Sequence, residues 1–167
     1  MILRAIEPED VDFLFLLEND PEVASQSSTT APMSRQMLWR YANEYKADLF
    51  GDKEIRFIIT DPETGNAAGT IDITSFNPRD RRGFAGIAIA PQYRGHGVGT
   101  RALMELCEMA RKEFGMHQLA AIVAYDNTAS RRLFAKAGFT QCGQLRSWIR
   151  HGDSYRDAAL LQKLLVD

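Results

Sequence analysis

The sequence predicts a mixed α/β domain whose strands and helices follow the order βααβββαβαββ. Two segments with helical spacing of apolar residues come first, three strand-like segments follow, and a glycine-rich stretch then opens an alternation of helices and strands. The chain has 167 residues, 45% of them hydrophobic, which is the length of one domain with a substantial core. We therefore expect residues 1–167 to form a single domain.

The first third of the chain carries a strand and two helices. A short strand at Arg4 leads to a helix start at Pro8, which suits a first turn because proline lacks the N–H that this turn leaves unpaired. We expect this helix to end near residues 19–21. A polar loop from Ser25 to Pro32 follows, and Ser34 is a good N-cap for the second helix.

Strand signals dominate after Gly51. The predicted strands of an antiparallel meander cover residues 55–60, 68–76 and 82–90. In the second of them Ile71 and Ile73 alternate with Asp72, so we expect one apolar and one polar face. The later elements are a helix from Val98, a strand over 119–125, a helix over 128–137 and two closing strands over about 140–150 and 154–165. If the helix from Val98 is a crossover, the strand after it is parallel to the third.

Composition excludes several classes of protein. A net charge of −2 argues against a dedicated nucleic-acid binder, which is usually basic. No apolar run approaches the roughly 20 residues of a membrane-spanning helix. The first ten residues carry no apolar signal segment, so we expect a cytoplasmic protein. Cys107 and Cys142 are too few for a disulfide framework or a four-cysteine metal site, and we expect no metal.

Charge is distributed unevenly along the chain. Residues 1–54 carry 11 acidic and five basic side chains, a net charge of −6, whereas residues 84–167 carry a net charge of +4. Such a field favours a cationic ligand on one side of the molecule and an anionic ligand on the other. The alternative is that the surface helices are simply charged on their solvated faces.

The glycine-rich segment from Arg94 to Thr100 is suited to a pyrophosphate. Glycines let backbone N–H groups approach an anion closely, the start of a helix adds unpaired donors, and arginine grips phosphate through two parallel bonds. No lysine follows the last glycine, as a P-loop requires, and the spacing Gly95-x-Gly97-x-Gly99 is not the Gly-x-Gly-x-x-Gly of dinucleotide-binding folds. A simple turn is the structural alternative.

Four segments resemble the GNAT superfamily of N-acetyltransferases. The acetyl-CoA signature Gln/Arg-x-x-Gly-x-Gly/Ala is matched twice in overlap, from Gln92 and from Arg94. Residues 127–139 resemble the segment Asn-x-x-Ser/Ala-x-x-x-Tyr-x-x-x-Gly-Phe. Residues 3–10 and 153–157 are similar to the opening and the closing hairpin of the ribosomal-protein-alanine and polyamine branch. The resemblance covers essentially the whole chain, and its element order is the one given above.

The resemblance implies acetyl-CoA as co-substrate, bound where two central strands splay apart. The backbone of Ile87, Ala88 and Ile89 would pair with the pantetheine arm. The pyrophosphate would lie on Arg94, Gly95, His96, Gly97, Val98, Gly99 and Thr100, and Asn127, Ser130 and Arg132 would contact the arm or the phosphates. His96 carries less charge at neutral pH than the lysine or arginine common there, because its ordinary pKa is about 6.5. An exposed loop residue is the alternative for His96.

The same resemblance leaves the catalytic groups open. The tyrosine that many relatives use as an acid falls on Phe134, and a glutamate common in the third strand falls on Phe84. Asp72 and Tyr125 are the candidates for water-mediated proton transfer. Asp72 as a solvated strand residue and Tyr125 as a packing or rim residue are the alternatives.

The sequence supports three functions. The first is transfer of an acetyl group to a primary amine by direct attack in a ternary complex. The acidic first third favours a polyamine or another small cationic amine, with an amino sugar or a protein N-terminus as further acceptors. The second is a non-catalytic acyl-CoA sensor or interaction module, and the third is a nucleotide-binding regulator. A homo-oligomer is compatible with exposed strand aromatics such as Trp148 and Tyr155; burial of these side chains in one core is the alternative.

Overall fold

A seven-stranded sheet runs through the molecule in the order β1-β2-β3-β4-β5-β7-β6. The computed structural model describes residues 1–26 and 31–166. The strands are β1 (Leu3–Arg4), β2 (Ile55–Thr60), β3 (Ala67–Asn77), β4 (Arg82–Ile89), β5 (Gln118–Ala124), β6 (Thr140–His151) and β7 (Ser154–Leu164). Only β4 and β5 pair in parallel; the other neighbours are antiparallel. This confirms the predicted mixed, mainly antiparallel sheet.

The described residues form six α-helices beside the sheet. They are α1 (Val11–Glu18), α2 (Pro21–Gln26), α3 (Arg35–Glu44), α4 (Leu49–Asp52), α5 (Val98–Lys112) and α6 (Thr128–Lys136). Within the described ranges, none of them has the length and apolar character needed to cross a membrane. The predicted order is correct for the strands and the long helices, but it lacks the two short helices α2 and α4.

Helix α1 ends at Glu18, close to the predicted end near residues 19–21, but an unpredicted helix, α2, follows directly. Pro21 does not end a helix there but occupies the first position of a new one, where its missing N–H costs nothing. The Asp20 carboxylate accepts hydrogen bonds from the next two free amides, those of Glu22 and Val23, at 3.1 Å each. Ser25 and Gln26 of the predicted loop from Ser25 to Pro32 therefore belong to α2, and residues 27–30 lie outside the described part of the chain.

Apolar side chains bury both faces of the sheet. On one face Ile71 and Ile73 of β3 pack in a large core with Leu103 and Leu106 of α5. On the other face Ile58 of β2 packs with Leu14 of α1 and Leu38 of α3. Each fully buried side chain of this size stabilises the fold by about 1.5–3 kcal/mol. The alternation in β3 therefore directs Asp72 toward the face covered by α1 and α3.

The centre of the sheet is open along half of its length. Pairing between β4 and β5 ends where Phe84 lies opposite Ala120, although β4 continues to Ile89 and β5 to Ala124. Beyond that point each strand pairs with its outer neighbour, β4 with β3 and β5 with β7. The two central strands therefore splay apart, as the family resemblance implies.

Of the four strand aromatics at issue, the two exposed ones lie on the β6–β7 hairpin. Trp148 is 56% and Tyr155 is 61% exposed, whereas Phe76 is buried in the core and Phe84 is partly buried. The strand aromatics therefore form neither one exposed face nor one core.

A buried carboxylate ties the first strand to the first helix. Asp10 accepts two hydrogen bonds from the Arg4 guanidinium, at 2.7 and 2.8 Å, and one from the Glu7 N–H at 2.8 Å. Burial alone would raise the pKa of Asp10, but the bonds from Arg4 and Glu7 outweigh it and hold the pKa below its ordinary value. The carboxylate form therefore stabilises the fold.

Replacing this carboxylate should weaken the fold at neutral pH. We expect Asp10→Asn to lower the free energy of unfolding by about 1–3 kcal/mol, because bonded groups lose a charged partner. A carboxylate whose pKa is lowered in the folded protein contributes its full stabilisation at a pH above its pKa in the unfolded chain, near 3.9. That contribution is lost as the pH falls through its lower pKa in the folded protein. Urea unfolding at neutral pH and near pH 3 should show the difference from wild type narrowing in acid; an equal loss at both would contradict it.

A tyrosine takes the place of a missing strand beside β2. Strand β1 pairs with Ile58 and Ile59, and no other strand in the described part of the chain pairs with the outer edge at Arg56. There the Arg56 N–H donates to the Tyr45 hydroxyl, which donates to the Arg56 carbonyl at 3.2 Å. Burial raises the pKa of Tyr45 to about 12.

Removing that hydroxyl should leave two backbone groups unsatisfied. We expect Tyr45→Phe to cost about 1–3 kcal/mol of unfolding free energy, measured by urea unfolding at neutral pH. Tyr155→Phe, which removes a hydroxyl from a largely exposed ring, is the matched control and should change little. Equal losses in both variants would contradict the role given to Tyr45.

Candidate functional site

A cleft of about 670 Å³ lies along the splayed part of the sheet. The residues predicted for acetyl-CoA that line it are Ile87, Ala88, Ile89, Arg94, Gly95, Gly97, Gly99, Thr100, Asn127, Ser130 and Arg132. His96 is exposed in the loop and Val98 is buried in the core, and neither lines the cleft. Sequence reasoning missed Lys136 of α6, which adds a cation to the same lining.

The glycine-rich loop presents backbone donors to the cleft. Gly95 and Gly97 have φ angles of 78° and 79°, which side chains rarely tolerate. Gly97 is the N-cap of α5 and has no side chain to occupy the first-turn N–H groups, so those groups stay available. Together with the positive end of the helix dipole, they form a site for an anion.

Two side chains hold the walls of the cleft in shape. Asn127 caps α6, because its side-chain oxygen accepts a hydrogen bond from the Ser130 N–H at 3.1 Å. Arg94 ties the loop to β4, because its Nε donates to the Ile89 carbonyl at 2.9 Å. Both residues therefore have a structural role besides any contact with a ligand.

The charge on Arg94 is already paired. Its Nη1 forms an ion pair with Glu22 of α2, and its Nη2 lies 3.8 Å from Asp20 Oδ1. Glu22 also lines the cleft, and sequence reasoning missed it. An anionic ligand on this loop must therefore compete with the carboxylates of α2.

Asp72 lies in the cleft at a point that β4 leaves free. It is paired across the sheet with Gly86, where an added Cβ would come within 2.6 Å of Asp72 Oδ1. Burial raises the pKa of Asp72; Arg56 opposes this, and the carboxylates of Glu54 and Glu18 add to it. The side chain is thus a partly desolvated carboxylate facing the cavity.

Arg56 links Asp72 to helix α1. Its Nη2 forms an ion pair with the buried Glu18 and donates to Thr70 Oγ1 at 3.1 Å. Its Nε lies 4.0 Å from Asp72 Oδ2 and, among the described residues, has no hydrogen-bond partner. Sequence reasoning missed Glu18, Arg56 and Thr70. The available signal was an arginine inside the otherwise apolar strand 55–60.

A second cavity of about 220 Å³ adjoins the first. The residues that line both are Arg56, Asp72 and Thr74. The remainder of its lining is apolar or aromatic with one carboxylate: Met33, Leu38, Tyr41, Tyr45, Glu54 and Ile55. Asp72 therefore lies at the junction of two cavities.

The other catalytic candidate, Tyr125, lies outside both cavities, and so does Phe134, which stands where many relatives have a tyrosine. Tyr125 is 40% exposed with its ring beneath the Arg131 guanidinium, 4.3 Å away, and lines neither cavity. Phe134 is buried and packs edge-on against Phe139, with ring centroids 5.0 Å apart. Over the described residues, no cluster of three or more His, Cys, Asp or Glu side chains is placed to hold a metal ion.

Known proteins are similar to this chain in sequence and in fold. The sequence profile of the acetyltransferase (GNAT) domain matches residues 1–140. The chain is 26% identical to a spermidine N(1)-acetyltransferase of Escherichia coli K12 over 156 residues, 93% of this chain and 81% of that protein. It is 24% identical to a putative ribosomal N-acetyltransferase of Bacillus subtilis over 169 residues, 93% and 86% of the two chains.

The fold has solved counterparts. The crystal structure of spermidine N-acetyltransferase from Vibrio cholerae in complex with CoA and spermine superposes with a TM-score of 0.86 at 23% identity, covering 98% of this chain and 94% of that one. At this identity the similarity establishes the fold. Together with the profile match, it shows that the chain belongs to the GNAT family of acetyltransferases and is an N-acetyltransferase.

Proposed function

We propose that residues 1–167 form one N-acetyltransferase domain that moves an acetyl group from acetyl-CoA to a primary amine of a small cationic molecule, with a polyamine favoured. The observation that carries this proposal is the position of Asp72 at the junction of the two cavities. Glu18 and Glu54 add carboxylates around Asp72, where Arg56 is the opposing cation, so this part of the lining attracts an ammonium group. An amino sugar or a peptide N-terminus has less need of such a negative lining.

The larger cleft fits acetyl-CoA. The glycine loop offers first-turn N–H groups and Arg94 for the pyrophosphate, and Arg132 and Lys136 offer further positive charge. The free edge of β4 at residues 87–89 offers backbone groups for the pantetheine arm. Bound acetyl-CoA supplies a thioester whose thiol, with an ordinary pKa of about 8.5, can leave without a strong acid.

Asp72 is the base in this proposal. An amine attacks only in its neutral form, so the ammonium group must first lose a proton, and Asp72 accepts it directly or through a water. Desolvation suits the carboxylate to this task because it raises the pKa of Asp72. The protonated group then returns its proton to solvent through the cleft. Tyr125 has no part in this scheme, because it lines neither cavity.

The decisive experiment measures acetyl transfer from radiolabelled acetyl-CoA to spermidine, spermine, putrescine, amino sugars and short basic peptides. We expect turnover on a polyamine, and we expect Asp72→Asn to lower kcat/KM by about 100-fold or more with CoA affinity preserved. Asp12→Asn makes the same change on the solvent-exposed side of α1 and should retain activity. Binding of CoA without turnover on any amine would favour the sensor function instead.

The ion pair on Arg94 makes a separate prediction for CoA affinity. Glu22→Gln removes the carboxylate that competes for Arg94, so we expect the Kd of CoA, measured by calorimetry, to fall about two- to fivefold, the range of an exposed ion pair. Arg94→Gln should raise the Kd. A Glu22→Gln variant that binds CoA no better than wild type would show that the pair does not oppose binding.

A further inference from the structure

The guanidinium of Arg56 lies between two carboxylates but bonds only one of them. It forms an ion pair with Glu18, whereas its Nε remains 4.0 Å from Asp72 without a hydrogen bond. Glu18 is 9% exposed at the end of α1 and lies in no other ion pair among the described residues. Arginine normally closes on a carboxylate through two parallel bonds when it is free to do so. The arrangement therefore has an asymmetry that calls for a cause.

Closure of Arg56 on Asp72 would disable the base proposed above. Two guanidinium bonds would occupy the carboxylate oxygens that must accept the proton, and a close positive charge would make them less basic. In the structure, the Nη2 of Arg56 donates hydrogen bonds to Glu18 and Thr70, and the Arg56 backbone N–H donates to the Tyr45 hydroxyl. The guanidinium is thus held on the side of α1.

We propose that Glu18 is a positioning residue: it holds Arg56 against α1 and so leaves the Asp72 carboxylate free to accept a proton. This inference rests on the proposed role of Asp72. It assigns to α1 a share in the chemistry, although none of its side chains needs to touch the reacting atoms.

Within the described part of the chain, the charged groups around Asp72 are one cation and two anions. Arg56 is the cation facing it, from β2. The anions are Glu18 from α1 and Glu54 from the residue before β2, and the pKa of Asp72 is raised by burial first and by both carboxylates in addition. Tyr41 of α3 and Tyr45 behind it also line the neighbouring cavity, but their own pKa values are raised by burial, so their phenols are neutral where the base works.

The test compares pH profiles of kcat/KM for wild type and Glu18→Gln on an active amine. We expect the acid limb of Glu18→Gln to lie about one pH unit lower, because the Glu18 charge no longer raises the pKa of Asp72 and because Arg56 then approaches Asp72. The approach of Arg56 should also lower the plateau about three- to tenfold. Asp12→Asn, on the same helix, is the matched control and should keep the wild-type limb. In the double variant Glu18→Gln with Arg56→Met, the limb should move above the wild-type position, because Asp72 then has no cation beside it.

A second readout does not depend on turnover. The pKa of the Asp72 carboxyl, followed by carbon NMR and assigned with Asp72→Asn, should be lower in Glu18→Gln than in wild type. An unchanged pKa and an unchanged acid limb would overturn the inference. The inference would also be overturned if Glu18→Gln lost activity and the double variant did not regain it, with thermal unfolding showing that both variants are folded. Wild-type activity in Asp72→Asn would instead reject the base proposed for the reaction.

Discussion

The early end of pairing between β4 and β5 is the constraint on which the site depends. A parallel pair buried on both faces would normally continue along its length, with every backbone group bonded to the neighbouring strand. Here the pairing stops at Phe84 and Ala120, and the strands diverge while each remains bonded to its outer partner. The gap leaves an unpaired strand edge in the middle of the protein, in reach of both the glycine loop and α6.

Both halves of the chain contribute charged side chains to the site. The acidic first third contributes Glu18 and Glu22 to the lining, and the basic last half contributes Arg94, Arg132 and Lys136. The solvated faces of surface helices therefore do not account for all of the uneven charge distribution in the sequence. Other charges remain outside, as the exposed pair between Arg35 and Asp12 shows.

Local signals were sufficient for most of the fold. Ser34 caps α3 as predicted, and Asn127 caps α6 in the same way, each accepting a hydrogen bond from an amide three residues later. The period of β3 correctly places Asp72 opposite the apolar face. The short helix α2 was missed because Pro21 was interpreted as a stop, whereas Asp20 makes it a start. A helix of this length has too few residues to show a periodic pattern.

The site was predictable only where a motif carries it. The glycine loop and the Asn127 segment led to most of the cleft, but Glu18, Arg56 and Thr70 meet only through long-range packing of α1, β2 and β3. No spacing rule connects residues that lie so far apart in sequence. Conversely, His96 and Val98 belong to the motif but point elsewhere, because consecutive residues of a loop cannot all face one ligand.

The contact between Asp72 and Gly86 has a consequence for how such a site can change. The volume that a side chain at position 86 would fill is taken by a carboxylate that belongs to the adjacent strand. In related proteins, either strand can thus carry the acidic residue that faces the cavity, provided that the residue opposite it on the other strand is glycine. The residues at positions 72 and 86 should therefore vary together among homologous chains. An acidic residue at position 72 should rarely occur with a bulky residue at position 86.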